Sequence, residues 1–254
     1  MALQRLVPLL LAVSFGWMAV CAQAMEFRVA GNELHLRGKV DGYEFALLKD
    51  ALAEHPGIDT VVFRASPGGD AWTAYRVGER IRDSGLRTVL GGPCYSACSI
   101  MFLGGKQRHF VRAERPEFLY LAFHGTWNSS LHELNNPAIR GRVDLRDWVL
   151  QRTGGKVDPG LLERFLGGER RAAMLYVYDP EQLKREDGVS LYFCEGVEAK
   201  GAKLFESCEK ISGHDAFSMG FVTSSERVRV TPFPALPAPF KLKSAGYRWP
   251  EEKY

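Results

Sequence analysis

The sequence has no surplus of either charge. Its 33 Lys and Arg stand against 30 Asp and Glu, a formal charge of +3 over 254 residues. A nucleic-acid binder or a polybasic membrane binder draws its affinity from a basic excess, and none is present. Glycine (26) and proline (13) stay near average usage, which excludes collagen-like and broadly disordered chains. No internal repeat is found. After the first two dozen residues no apolar run is long enough to span a bilayer. Cysteine is scarce and never spaced as Cys-x-x-Cys, and no histidine sits at finger-like spacing, which argues against structural zinc. What remains, 46% hydrophobic and 25% charged, is an ordinary globular composition with enough apolar sequence for a real core.

The N-terminus reads as an address. Arg5 precedes the run Leu6-Val7-Pro8-Leu9-Leu10-Leu11-Ala12-Val13, and Ala22-Gln23-Ala24 is a small-x-small site of the type a signal peptidase cuts. The competing reading, a membrane anchor, needs ~20 apolar residues, and the cleavage site follows too soon. Residues 1–24 are therefore expected to be a leader, with the protein periplasmic or secreted and without a membrane span once cut. Export changes how the cysteines read. Cys94, Cys98, Cys194 and Cys208 remain beyond the leader, and an even number in an oxidising compartment favours disulfides. Four cysteines allow three connectivities, and proximity in sequence suggests Cys94–Cys98 and Cys194–Cys208.

From Glu26 the chain alternates strand and helix. Residues 26–40 read as a hairpin or two short strands around Gly31-Asn32. Residues 43–54 carry Phe45, Leu47, Leu48, Ala51 and Leu52 at helical spacing. Thr60–Phe63 is a short strand entering Ser66-Pro67-Gly68-Gly69, and Ala71–Ser84 a helix. Arg87–Leu90 is a strand running into Gly91-Gly92-Pro93, and Ala97–Leu103 a buried helix. Phe118–Phe123 is a strand ending at His124. This order predicts an α/β fold, a mostly parallel sheet covered by helices with right-handed crossovers. Ligands of such sheets sit beyond the carboxyl ends of the strands, where Gly68-Gly69, Ser96 and His124 converge. Helices are expected near 143–152 and 160–166, helix or strand over 172–177, and strand character over 220–223. Residues 25–230 form the expected domain, with 184–212 read as a disulfide-tied insertion and 231–254 as a proline-rich extended tail.

A serine placed where a strand turns into a helix holds its hydroxyl forward, with helix-start N–H groups free to bind an oxyanion. Ser96, in Cys94-Tyr95-Ser96-Ala97-Cys98, has that placement. A serine needs a base within reach, and His124 can supply one. Paired glycines let a second backbone N–H approach an oxyanion. Singly, each has a structural reading as a turn serine, a strand-end histidine and a tight turn. Their order and spacing carry more weight.

Ser66-Pro67-Gly68-Gly69, a helix, a strand, Gly92-x-x-x-Ser96, Gly105, and a strand ending in His124 together resemble the Clp protease proteolytic subunit. The closer likeness is to exported bacterial relatives with a Cys-x-Ser-Ala-Cys nucleophile turn. The resemblance covers about residues 59–126 well and 220–223 loosely. It implies a ClpP/crotonase-like fold, Ser96 as nucleophile and His124 as general base. It also implies Gly69 and Ala97 N–H groups as the oxyanion hole. Asp179 is the best-placed third member, ahead of Asp187 and Asp158, although the motif around it does not match. The implied activity is a peptidase working through an acyl-enzyme on a peptide or protein substrate, without metal or organic cofactor, in a homo-oligomer. A catalytically inactive peptide- or partner-binding protein of the same fold is the alternative. Crotonase-type acyl-CoA chemistry is disfavoured by export and by the Ser/His pair. A Cys94–Cys98 bridge is expected to stiffen the turn that carries Ser96. Lys106, which would suggest a Ser–Lys dyad, sits in what reads as a solvated loop, and His214-Asp215 in a self-capped turn.

Overall fold

The computed structural model describes residues 24–125, 127–128, 133–134, 145–167, 173–195 and 203–233. The expected leader lies outside these residues except for Ala24, as does the tail beyond Phe233.

The first half builds one sheet. Strands β1 (Glu26–Ala30) and β2 (Glu33–Arg37) form the expected antiparallel hairpin. Helix α1 (Glu44–Glu54) leads to β3 (Thr60–Phe63), which lies parallel to β2 and has all four residues buried. Helix α2 (Ala71–Asp83) starts where the Asp70 carboxylate accepts from Thr73 N–H, and buries Ala74, Val77 and Ile81 on one face. Then β4 (Arg87–Leu90) lies parallel to β3, and β6 (Arg108–Phe110) parallel to β4. The order is β1-β2-β3-β4-β6, parallel from β2 onward.

The second half departs from the expectation. A second sheet has the order β12-β11-β10-β7-β5, from β5 (Cys94–Tyr95), β7 (Tyr120–Phe123), β10 (Met174–Tyr178), β11 (Leu191–Cys194) and β12 (Glu209–Ile211). Only its β5–β7 pair is parallel, so a mostly parallel arrangement holds for the first sheet alone. Antiparallel neighbours need no crossover helix, and strand–helix alternation fades after His124 for that reason. The described parts of 184–212 supply β11 and β12 of this sheet. Leu191, Tyr192, Phe193 and Cys194 are all buried, a run that belongs in a sheet interior. Residues 220–223 are not a strand either. Gly220 sits at φ +71, and Phe221 and Val222 are buried in irregular backbone.

The two sheets meet at Ser66, whose N–H donates to Pro93 O (2.9 Å) and whose carbonyl accepts from Tyr95 N–H (3.1 Å). Between β5 and β6 lies α3 (Ala97–Phe102), wholly buried and packed against α2. A short hairpin, β8 (Trp127–Asn128) with β9 (Glu133–Leu134), precedes α4 (Leu145–Thr153) and α5 (Pro159–Gly167). Helix α6 (Pro180–Leu183) follows β10, and α7 (Lys203–Ser207) precedes β12. Among the described residues no helix is long and apolar enough to cross a membrane.

Candidate active site

Ser96 occupies the junction of β5 and α3 at φ 52, ψ −119. Lys184 is the other described non-glycine residue with positive φ. Such a conformation costs of order 1–3 kcal/mol and persists only where its surroundings over-determine it. Here they do. Ser96 N–H donates to Ala122 O on β7 (2.8 Å). The hydroxyl of Ser99, one turn along α3 and fully buried, lies 2.7 Å from Cys94 O and accepts from Ala122 N–H at 3.2 Å. It thereby pins helix, β5 and β7 together. Sequence reading passed Ser99 over, because one serine in an apolar helix signals nothing until its partners are known. The Cys94–Cys98 disulfide closes over the same turn, with both residues inaccessible and Cα atoms 5.3 Å apart. Among the described residues the Ser96 hydroxyl makes no hydrogen bond, so it is free to point at a ligand.

The glycine loop packs directly against this turn. A Cβ added to Gly68 (φ +81) would meet Tyr95 O at 2.6 Å and Ser96 Cβ at 2.8 Å. One added to Gly69 (φ +144) would lie 1.9 Å from Val40 O. Glycine is obligatory at both positions on steric as well as conformational grounds. Val40 anchors the loop by donating to Gly68 O (2.9 Å) and accepting from Asp70 N–H (3.0 Å). That pairing skips Gly69, whose N–H has no acceptor among the described residues. Ala97 is the first residue of α3, so its N–H has no intrahelical partner either.

His124 follows β7. The parallel register Tyr95↔Ala122 carries Ser96 and His124 past the same ends of neighbouring strands. His124 Nδ1 lies 2.6 Å from Gly125 O. Only a protonated Nδ1 satisfies that carbonyl, which assigns the tautomer that leaves Nε2 an acceptor. Burial drives the imidazole pKa down to about 4, against a smaller opposing effect of the Gly125 carbonyl. The ring is therefore neutral at physiological pH. Among the described residues Ser96 and His124 share no hydrogen bond, although catalytic hydrogen bonds often tighten only with substrate present.

Asp179 is not brought to His124. Tyr178 pairs with Tyr120, so Asp179 lies beyond the far end of β7, on the order of 17 Å away along the strand. It is committed there. Its carboxylate accepts from Glu181 and Gln182 N–H groups, capping α6, and forms a two-point ion pair with Arg227 at 2.6 and 2.8 Å. Burial raises its pKa, but the hydrogen bonds from Arg227 and Gln182 outweigh this and hold it below the ordinary value. The other two expected acids are also occupied elsewhere. Asp187 binds Lys210 (2.5 Å), and Asp158 accepts from Leu161 N–H (2.7 Å). The triad expectation fails because the pairing of β10 with β7 runs antiparallel, which sends residue 179 away from the histidine.

Cys194 and Cys208 form the second expected disulfide, their Cα atoms 4.6 Å apart, tying the end of β11 to the turn before β12. Asp215 accepts from Phe217 and Ser218 N–H groups, the self-capped turn anticipated for His214-Asp215. Lys106 is exposed at the opposite edge of the first sheet, next to the start of β6. Among the described residues no three His, Cys, Asp or Glu side chains gather as metal ligands would.

No protein-family model matches the chain, and no curated protein matches it significantly in sequence. Solved structures show a distant similarity to part of it. The membrane-bound stomatin-specific protease 1510-N, as a mutant, is 16% identical with TM-score 0.39, covering 61% of this chain and 77% of its own. Another mutant of that protease, in complex with a substrate peptide, is 14% identical with TM-score 0.40, over 59% and 69% of the two chains. An enoyl-CoA hydratase from Polaromonas sp. JS666 is 12% identical with TM-score 0.37, over 63% and 66%. At such values a neighbour's chemistry does not pass to this chain. The mixed α/β fold rests on its own strands and helices.

Proposed function

We propose that this chain is an exported serine hydrolase of the ClpP/crotonase type, acting as a peptidase through an acyl-enzyme on Ser96. The observation that carries the reading is the Ser96 turn. Among the described residues a serine is held at positive φ with an unengaged hydroxyl, the N–H groups of Gly69 and Ala97 donate to no acceptor, and Gly68 packs against Ser96. Strain of this kind persists where it serves a site.

In this mechanism His124 Nε2 takes the Ser96 proton as Oγ attacks the scissile carbonyl, and returns it to the leaving amine. The Gly69 and Ala97 N–H groups stabilise the oxyanion. The Gly125 carbonyl fixes the imidazole tautomer, the orienting part of what a triad acid does. It carries no full charge, so it stabilises the imidazolium less, and the reaction is expected to be slow. The two disulfides fit the oxidising compartment that residues 1–24 would address. Substrates outside the cell's ATP supply would be short, unfolded or loop-exposed peptides, and the enzyme would assemble as a homo-oligomer.

Fluorophosphonate labelling of the mature, oxidised protein tests this, with folded Ser96→Ala and His124→Ala variants beside it. Labelling that requires both residues is the expected result. One arrangement favours a second reading, a peptide-binding protein without catalysis: the three candidate acids are all engaged away from His124. Folded wild type that never labels would establish that reading instead.

A further inference from the structure

The richest unassigned feature lies at the other edge of the first sheet. A cavity of about 410 Å³ opens beside the start of β6, between the ends of α2 and α4. Arg82, Lys106, Arg108, Arg152 and Lys156 all line it, and among the described residues no Asp or Glu does. In a chain whose net charge is only +3, five cations around one cavity is a strong concentration. Among the described residues none of the five has a carboxylate within 4 Å. Glu79 and Asp83 on α2 influence Arg152, but from further off.

Two side chains show that this charge is built in. Arg108 is 3% exposed, and its guanidinium donates only to backbone carbonyls: Phe221 (2.9 Å), Gly105 (2.9 Å), Arg152 (2.8 Å) and Gly220 (2.7 Å) among them. Those carbonyls satisfy its hydrogen bonds without neutralising it. Burial, then Arg82 and Arg152, lower its pKa to about 10, which still leaves it charged at neutral pH. Buried charges are ordinarily paired, and this one has no counter-ion among the described residues. Arg152 stacks its guanidinium over Trp148, 4.1 Å from the ring centroid, and its buried Nε has no hydrogen-bond acceptor. Among the described residues the cavity lining thus includes one guanidinium with no counter-ion and another with a donor that has no acceptor.

We infer that this cavity is a binding site for a small organic molecule bearing two or more phosphate groups. Separate cations around the cavity favour more than one anionic group over a single one. Arginine forks match phosphate oxygens two at a time, and lysines serve as point charges beside them. The volume suits a small molecule, and Phe217 and Val222 offer an apolar wall for its carbon part. The site is independent of the Ser96 reading. Helix α2 runs from Asp70, beside Gly69, to the cavity, so its 13 residues separate the two sites by roughly 20 Å.

Calorimetric titration of the full oxidised chain with sodium tripolyphosphate, and separately with citrate, tests the proposal at low ionic strength. Wild type and Ser96→Ala are expected to bind tripolyphosphate saturably and alike. The combined variant Arg82→Gln, Lys106→Gln, Lys156→Gln should bind about thirtyfold more weakly, roughly threefold per partly exposed charge. None of these three side chains is buried, so folding is preserved and circular dichroism verifies it. Lys156→Gln alone gives a second reading of about threefold. Lys49→Gln, exposed on α1, should change nothing. Absence of saturable wild-type binding, or equal binding by the combined variant, overturns the site. Citrate binding as tightly as tripolyphosphate overturns the phosphate assignment.

Discussion

Gly68 and Ser96 are in direct contact, such that a β-carbon on the glycine would stand 2.8 Å from that of the serine. The glycine loop belongs to the first sheet and the serine turn to the second, so this contact sets one against the other. Any displacement of the loop reaches the hydroxyl that the proposed chemistry depends on.

Gly68→Ala tests that coupling. The new methyl meets backbone at Tyr95 O and sits at φ +81, which alone costs about 1–2 kcal/mol. Relief must come from moving the Ser96 turn. Misplacement by ~1 Å costs around a hundredfold in rate, so labelling of the folded variant should fall by about that factor. Labelling at the wild-type rate in a folded Gly68→Ala protein would show that the loop does not govern the serine.

Asp179→Asn separates structure from catalysis. It removes the two-point partner of Arg227 and leaves only the Glu181 carboxylate on Nη1 (2.7 Å), at a cost of about 2 kcal/mol, or roughly 4–8 °C in Tm for a chain of this size. Labelling per folded molecule should stay within about twofold of wild type, because the residue does not reach His124. Removing a true triad acid costs ~10⁴-fold in rate, which is easily told apart.

The pH profile carries a sign. His124 has a folded pKa of about 4, below its ordinary value of 6.5, so the fold favours the neutral ring. That contribution to stability is complete above pH 6.5 and is lost as pH falls towards 4. Asp179 behaves similarly lower down, its contribution vanishing as pH drops through its depressed pKa. Labelling should therefore hold level from pH 8 to about 6 and lose its base near pH 4. Rates measured over short times, with folding followed by circular dichroism at each pH, give the midpoint. A midpoint between 6.5 and 7 would place the ring in a far more solvated setting.

The two disulfides should part company. Closing loops of about 5 and 15 residues is worth roughly 2 and 3 kcal/mol by chain entropy. Replacing Cys194 and Cys208 by serine should cost the larger share of stability and leave labelling intact. The same change at Cys94 and Cys98 should cost less stability but slow labelling, because it loosens the turn around Ser96. Thermal melts and labelling rates on both double variants decide the matter.

Much of the first sheet was readable in advance. Thr60–Phe63 and Arg87–Leu90 are β-branched runs closed off by glycine loops, and the structure begins and ends them where the sequence does. The meeting of Gly68 with the Ser96 turn was readable too, since each follows a strand. Other parts were not. Strand β5 has two residues, too few for any period. Asp179 finds Arg227 48 residues away, and Arg108 finds carbonyls up to 113 residues away. Such partnerships are made by the tertiary fold and leave no local trace. The buried run Leu191–Cys194 was visible, but its cysteine suggested a tether where the apolar side chains called for a sheet.

The backbone at Ser96 also limits which hydroxyl or thiol residue the turn can hold. Threonine offers the same hydroxyl, but a branched Cβ at φ 52 is a genuine outlier, so that exchange is barred by shape. Cysteine fits the backbone and is the stronger nucleophile. Between Cys94 and Cys98, however, a third thiol would compete for their pairing while the turn forms, before the bridge is buried. A turn locked by its own disulfide leaves serine as the one hydroxyl or thiol residue that can sit in it undisturbed.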